Sequence, residues 1–250
     1  MQPNYLYLLI DLLCIAFPLI ASFYRKAPFY KKWKYASIAI LLPAVLFILW
    51  DELFTAMGIW GFNPNYVTGF GIGSLPIEEI LFFICIPYAC VFTYFALKYF
   101  IKKDLAFPYQ NVVSFVAIIT LFIVGIYHIE KFYTTVTFIS LSFYLAYLTF
   151  KIRARYLGHF YLTFGLIIIP FLLTNGILTG SFIEDEVVWY NDNANLGFRV
   201  GTIPIEDFFY AMLLMLCNVS IFEWLQVKFE PKPVKIDRPS NILGQVSSSC

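Results

Sequence analysis

Charged side chains and histidine are scarce in this chain. Charged residues make up 13% of the 250 residues, and there are two histidines, His128 and His159. About a quarter of the residues in an average soluble domain are charged, so this composition is typical of a membrane protein. The net charge of +1 contains no basic excess of the kind that attracts nucleic acid. We therefore predict no nucleic-acid partner.

The sequence also has no spacing that is typical of a metal or cofactor site. Its five cysteines are scattered and match no metal-ligand pattern, and the two histidines are predicted at opposite membrane faces. The glycine-rich run at 69–73 follows no strand of a βαβ unit, so it does not indicate dinucleotide binding. The final apolar segment has no lysine between Pro204 and Gln226, which argues against a retinal Schiff base. We predict that the protein uses neither a metal nor a cofactor.

Apolar and aromatic residues are abundant instead. Hydrophobic residues make up 60% of the chain and aromatic residues 20%. A hydrocarbon core about 30 Å thick is crossed by roughly 20 apolar residues in a helix. We predict an all-α, polytopic membrane protein with seven transmembrane helices, at about 4–23, 35–53, 77–98, 111–128, 133–150, 160–178 and 204–226.

Basic residues fall almost entirely in alternate loops of this arrangement. Of the seventeen, all except Lys131 and Arg199 follow the first, third, fifth or seventh predicted helix. Because cytoplasmic loops are enriched in lysine and arginine, we predict an outside N-terminus and a cytoplasmic C-terminus in the cell (inner) membrane. Residues 229–250 have little apolar content, and we predict a disordered cytoplasmic tail.

One acidic motif occurs twice. Leu75-Pro76-Ile77-Glu78-Glu79 and Ile203-Pro204-Ile205-Glu206-Asp207 each precede a long apolar segment. The segment before each motif contains a proline followed by a polar residue, Asp51 in the first case and Asn175 in the second. We predict two three-helix repeats, at 1–105 and 132–228, with 106–131 as a connector helix. Since corresponding helices are four crossings apart, the repeats would be parallel, and both acid pairs would lie at one depth.

Two interpretations of the motif compete. A proline and a carboxylate in the first turn stabilise a helix start by capping and by the helix dipole. Ionisable groups at membrane depth, however, are by default a functional hypothesis. The first acid is glutamate in both copies, which favours Glu78 and Glu206 slightly, although both members of each pair remain candidates.

A dry site with several carboxyl groups is suited to acid–base catalysis. A neutral carboxylic acid protonates a weakly basic group while a second carboxylate removes a proton. The ring faces of nearby aromatic residues stabilise a transient cation, although each ring has packing as its alternative role. The aromatic candidates are Phe82, Phe83, Phe208, Phe209 and Tyr210.

The doubled motif resembles that of the membrane-integral lycopene cyclases of the heterodimeric or fused type. The resemblance extends over residues 4–226, and it includes Asp51, Phe82-Phe83, Leu173-Thr174-Asn175-Gly176 and Val188-Trp189-Tyr190. It implies a cofactor-independent isomerase of carotenoid biosynthesis that cyclises the end groups of lycopene, a bilayer-dissolved polyene, to beta-rings. By this resemblance Glu78, Glu79, Glu206 and Asp207 supply acid and base, Asp51 is a further acid, and Asn175 belongs to the substrate site.

Other functions remain open at this point. A proton-coupled transporter also uses membrane carboxylates, a carotenoid-binding or assembly protein needs the aromatic residues, and a hydratase lets water capture the same cation. Arg199 precedes the second motif and is expected either to hold an ionised acid or to form a loop salt bridge. Asp11 and Glu223 are acids within predicted helices, and no motif assigns them a role. A homo-oligomer is a further possibility.

Overall fold

The computed structural model describes residues 3–229 and is mostly helical. Its α-helices overlap all the predicted apolar segments. The predicted tail lies outside the described residues, apart from residue 229. The helices are α1 (Leu6–Ala21), α2 (Trp33–Ala56), α3 (Ile77–Phe100), α4 (Gln110–Tyr127), α5 (Phe132–Ala146), α6 (Leu157–Leu178) and α7 (Ile205–Phe229).

Six helical segments are long and apolar enough to cross a membrane. Two of them are longer than the α-helix alone, because helical turns at Phe29–Lys32 and Tyr147–Ile152 continue α2 and α5 respectively. The remaining helix, α1, is apolar but has only 16 residues, which corresponds to about 24 Å at 1.5 Å per residue. A helical protein with several membrane-spanning segments is therefore confirmed, whereas the seventh crossing stays a prediction.

Proline residues occur inside four of the helices without ending them. Pro18, Pro43, Pro87 and Pro170 lie within α1, α2, α3 and α6 respectively. Membrane helices tolerate proline because neighbouring helices and side chains satisfy the freed backbone groups. The internal prolines therefore do not end these apolar helices, which end where the polar loops begin.

Helices α3 and α7 form the centre of the bundle. They contact each other, α1 packs against α3, and α5 packs against α7. Helix α2 packs against both α7 and α3, α6 packs against α3, and α4 packs mainly against α5. Large apolar side chains such as Phe17, Leu46 and Phe115 point outward and are exposed, as expected for a surface that faces lipid.

Short strands organise the two loops on the side where α3 and α7 begin. They are β1 (Trp60–Phe62), β2 (Gly71–Ile72), β3 (Leu75–Pro76), β4 (Val188–Tyr190), β5 (Arg199–Val200) and β6 (Ile203–Pro204). The pairs β2–β3 and β5–β6 are hairpins that lead directly into α3 and α7. Strands β1 and β4, one from each loop, pair antiparallel with Gly61 opposite Trp189.

Hydrogen bonds around the two hairpins recur at equivalent positions. The Ile77 amide donates to the Phe70 carbonyl at 2.9 Å, and the Ile205 amide donates to the Phe198 carbonyl at 3.0 Å. At the start of α1 the Tyr7 amide donates to Tyr66, and at the start of α5 the Tyr133 amide donates to Ala194. The two acidic motifs therefore begin their helices in the same local structure.

We expect Gly71→Ala to destabilise the protein more than Gly165→Ala. A Cβ atom on Gly71 would lie 2.5 Å from the backbone oxygen of Leu75, whereas a Cβ atom on Gly165 meets nothing within 4 Å. Moving a hairpin backbone to relieve such a clash costs about 1–3 kcal/mol. Thermal unfolding in detergent should show a lower midpoint for Gly71→Ala alone. Equal midpoints would mean that the β2–β3 hairpin is not tightly held.

Candidate active site

A cavity of about 520 Å³ lies between α1, α3, α6 and α7. It extends along α3 from Glu79 to Thr93, or about 21 Å at 1.5 Å per residue. The carboxyl groups cluster at the end where α3 and α7 begin, and most of the remaining wall is apolar. The cavity thus has the shape and polarity of a site for a long apolar ligand with one reactive end.

Three carboxylates from three different helices line this cavity. They are Asp51 of α2, Glu79 of α3 and Asp207 of α7, and all three are buried. Each is supplied by the part of a helix nearest the strand-bearing loops, because α3 and α7 begin there and α2 ends there. Acids from both halves of the chain therefore meet in one cavity.

Asp207 is surrounded by hydrogen-bond donors. The Tyr133 hydroxyl donates to Oδ1 at 2.7 Å, and Asn175 Nδ2 and the Tyr190 hydroxyl donate to Oδ2 at 2.7 and 2.9 Å. Hydrogen bonds to a carboxylate favour its charged form. The arrangement is therefore suited to an ionised Asp207.

Glu79 has a poorer set of donors. In the part of the chain that the structure describes, its side-chain partner is the Tyr7 hydroxyl, which donates to Oε2. Pro76 occupies the N-cap position and has no N–H group, so Glu79 cannot complete a capping box with it. With one donor in a buried site, Glu79 is better suited than Asp207 to carry a proton.

The first acid of each pair points to a different place. Glu78 accepts a hydrogen bond from the Thr68 amide at 2.7 Å, and Glu206 accepts from the Leu196 amide at 2.8 Å. Thr134 Oγ1 also donates to Glu206, at 2.5 Å. Both glutamates are fully buried, and neither lines the cavity. Their contacts hold the strand-bearing loops against the helix starts.

Four aromatic side chains form a box beside Asp207. Trp60 lies with its ring centroid 5.0 Å from that of Tyr133, 6.2 Å from that of Tyr190 and 6.1 Å from that of Tyr210. Tyr133 and Tyr190 stack with an interplanar angle of 16°. All four line the cavity. Such a box surrounds the reactive end of the cavity with ring faces and hydroxyl groups.

The predicted aromatic and amide residues divide into two groups. Phe82, Tyr210 and Asn175 line the cavity. The other three are packed in the bundle: Phe83 is buried near Phe47, Phe208 packs on Phe171 at 4.9 Å, and Phe209 packs on Phe138 at 4.8 Å.

Comparison with known families bears on both halves of the chain. A sequence model described as lycopene cyclase matches residues 4–97 and 130–225. The chain belongs to the lycopene cyclase family. This confirms the resemblance drawn from the doubled motif and identifies an enzyme of carotenoid biosynthesis. Searches of curated proteins and of solved structures give no match.

The cavity of this lycopene cyclase opens towards the lipid-facing surface. Leu13 and Phe17 of α1 and Leu173 of α6 line the cavity and are also exposed at the outside of the bundle. A polyene dissolved in the bilayer therefore has a lateral entrance between α1 and α6. Because these entrance residues are apolar, the substrate can pass from the bilayer into the cavity without entering water.

Sequence reasoning missed four lining residues of the cyclase site. Tyr7, Trp60, Tyr133 and Tyr190 were not among the predicted site residues, yet each borders the acidic end of the cavity. A signal existed for three of them. Tyr190 belongs to the Val188-Trp189-Tyr190 run of the family resemblance, and Tyr7 and Tyr133 lie at equivalent positions near the starts of α1 and α5. Each donates to the second acid of its own repeat.

Several other charged residues of the cyclase form ion pairs outside the cavity. Arg199 forms a loop salt bridge with Asp192 at 2.7 Å, which decides between its two expected roles. The hydrogen bond from Arg199 holds the pKa of Asp192 below its usual value. Glu223 pairs with Lys98 and accepts from the Tyr94 hydroxyl at 2.8 Å. Among residues 3–229, no group of three or more His, Cys, Asp and Glu residues is arranged to hold a metal ion.

We expect Thr134→Val to destabilise the cyclase, with Thr137→Val as the matched control. Both threonines are fully buried on α5, but Thr134 donates to Glu206, and the Thr137 hydroxyl has no partner in the described chain. Loss of a buried hydrogen bond that leaves its acceptor less satisfied costs about 1–3 kcal/mol, whereas removing an unpartnered hydroxyl costs little or stabilises.

The midpoints of thermal unfolding in one detergent provide the comparison. We expect a lower midpoint for Thr134→Val and an equal or higher midpoint for Thr137→Val. If both substitutions lower the midpoint equally, the contact between Thr134 and Glu206 contributes no more than ordinary packing.

Proposed function

We propose that this protein cyclises the end groups of lycopene to beta-rings by acid–base catalysis within the membrane, without a cofactor. The observation that carries the proposal is the placement of Glu79 and Asp207 at the same end of one apolar cavity. One acid has a single hydroxyl donor and the other has three donors. This difference supports a division of labour in which Glu79 is the acid and Asp207 is the base.

The reaction begins when Glu79 transfers its proton to the terminal double bond of lycopene. The new C–H bond leaves a tertiary cation, and the electrons of a neighbouring double bond attack it and close the ring. The cation that this attack produces loses a proton to Asp207, which restores a double bond. One proton is added and one is removed, so the product is an isomer of the substrate and no electron acceptor is consumed.

Aromatic side chains lower the energy of the cation. Phe82, Trp60 and Tyr210 line the acidic end of the cavity, and the face of an aromatic ring attracts a positive charge. Because Trp60 and the carboxyl groups at this end of the cavity are buried from bulk water, the attraction is weakened little by solvent. The box of four aromatic residues also excludes the water that would capture the cation.

The remaining predicted acids have supporting roles in this proposal. Asp51 lines the cavity, and its Oδ2 atom has no partner in the described chain, so it adds a carboxyl group beside the reacting end. Glu78 and Glu206 act as positioning residues, because their hydrogen bonds hold the loops that carry Trp60 and Tyr190. The sequence alone favoured the first acid of each pair slightly, whereas this proposal assigns the chemistry to the second acid of each pair.

The architecture that we propose has two parallel three-helix repeats joined by α4. Its support is the recurrence of hairpin, helix start and hydroxyl donor in α1–α3 and α5–α7. With α1 counted as a seventh crossing, the distribution of basic residues puts the N-terminus outside the cell membrane and the C-terminus inside. The acidic end of the cavity would then lie near the outer surface.

Alternatives from other classes are less well supported. A proton-coupled transporter needs a polar path across the membrane, whereas the carboxyl groups of this cavity are concentrated at one end and most of its remaining wall is apolar. A carotenoid-binding protein gains nothing from three buried carboxylates, because unpaired buried acids are costly. A hydratase would use the same acid, and its hydroxylated product distinguishes it from a cyclase.

The test is pigment analysis of lycopene-accumulating cells that express the protein and its variants. We expect cyclised carotenoids with the parent protein and a loss of about 100-fold or more with Glu79→Gln and Asp207→Asn, since general acid–base groups contribute that much. Glu78→Gln and Glu206→Gln are the matched controls. Each keeps an oxygen that accepts the loop amide, so we expect product formation close to that of the parent.

Membrane levels of every variant are measured alongside the pigments. Unchanged lycopene with normal amounts of parent protein would exclude the cyclase function for this substrate. Loss of product with Glu78→Gln but not with Glu79→Gln would reverse the assignment of the acid within the first pair.

A further inference from the structure

Asp11 is a buried acid that the proposed mechanism does not use. It lies in α1, its exposed fraction is 0%, and neither carboxyl oxygen has a hydrogen-bond partner in residues 3–229. A carboxylate in such surroundings is far too costly to stay charged. We therefore expect Asp11 to be protonated, with an O–H group that has no hydrogen-bond acceptor in the described chain.

The position of Asp11 connects it to the candidate acid Glu79. Helix α1 packs along α3, and Asp11 lies one turn after Tyr7, on the same face of α1. Tyr7 is the residue that donates to Glu79.

In the second half of the described chain, no acid occupies the equivalent position. Thr137 occupies the corresponding place on α5, one turn after Tyr133, and its hydroxyl is also buried and unpartnered. Asp207 has three donors, whereas Asp11 has none and Glu79 has one. Protons are therefore held on the α1–α3 side of the cavity, and negative charge is stabilised on the α7 side.

We propose that Asp11 is the proton-return carboxyl that reloads Glu79 after each turnover, an inference that rests on the proposed cyclase function. After Glu79 has given its proton to the substrate, the Tyr7 hydroxyl gives its proton to Glu79, with which it is hydrogen-bonded, and takes up the proton of Asp11. One O–H bond thus forms on Glu79 and one breaks on Asp11, which then regains a proton. The proton that Asp207 took from the substrate and then releases balances the one that Asp11 regains. Asp11 does not line the cavity, so it acts through Glu79 and does not touch the substrate.

This role separates the first turnover from later ones. Purified protein enters its first turnover with Glu79 already protonated, so the removal of Asp11 leaves that step intact. Every later turnover waits for a proton to reach Glu79 by a slower route. A merely structural role for Asp11 would instead lower the first and later turnovers together.

The experiment follows ring formation in lipid nanodiscs by rapid quenching and pigment chromatography, with substrate in excess over enzyme. We expect Asp11→Asn to give a burst of about one ring per protein molecule and then a steady rate lower by about tenfold or more, the scale of a lost proton-transfer group. The parent protein and Thr137→Val should keep the faster steady rate after the same first turnover.

Each outcome decides between the two proposals. An Asp11→Asn protein with an unchanged steady rate, or one that has lost the burst together with the steady rate, would overturn the role of Asp11. Absence of rings from the parent protein itself would instead overturn the proposed cyclase function. The midpoint of thermal unfolding is measured for Asp11→Asn beside the parent protein, so that a lost burst counts against the role of Asp11 only when the variant is folded.

Discussion

The structure depends on the burial of carboxyl groups in an apolar bundle together with the donors that stabilise them. Tyr7 reaches Glu79 from the start of α1, and Tyr133 reaches Asp207 from the start of α5. Backbone amides of the strand-bearing loops satisfy Glu78 and Glu206. Without these donors, four acids at the starts of α3 and α7 would have to remain in water, and the cavity could not close above its reactive end.

These contacts also divide each acidic pair into two functions. Adjacent residues on a helix point about 100° apart, so one acid of each pair faces the loop while the other faces the cavity. In each copy of the motif, one acid therefore anchors a loop and the adjacent acid faces the cavity. The sequence favoured the first acid of each pair slightly, but the direction that each acid faces depends on the loops and could not be read from the motif alone.

Much of the fold was predictable because apolar segments of membrane length are unambiguous in a chain with so little charge. The predicted segment at 77–98 corresponds to α3, Ile77–Phe100, and the segment at 204–226 corresponds to α7, Ile205–Phe229.

The residues of the site were less predictable than the helices. Phe83 lies four residues after Glu79 and Phe209 lies two residues after Asp207. Both pack in the bundle, because the facing helix decides which side of α3 and α7 borders the cavity. Trp60 and Tyr190 enter the site through the pairing of β1 with β4, a long-range contact that no local pattern encodes.

The place of α4 has a consequence for how such a chain could arise by gene duplication. Helix α4 packs mainly on α5 and contributes no lining residue to the cavity. Joining two copies of a unit with an odd number of crossings would invert the second copy, and its acids would emerge at the far side of the bilayer. In the architecture proposed above, the single helix α4 between the two repeats restores the orientation of the second. On this view the role of α4 is to add one membrane crossing, and its sequence can vary as long as it still crosses the membrane once.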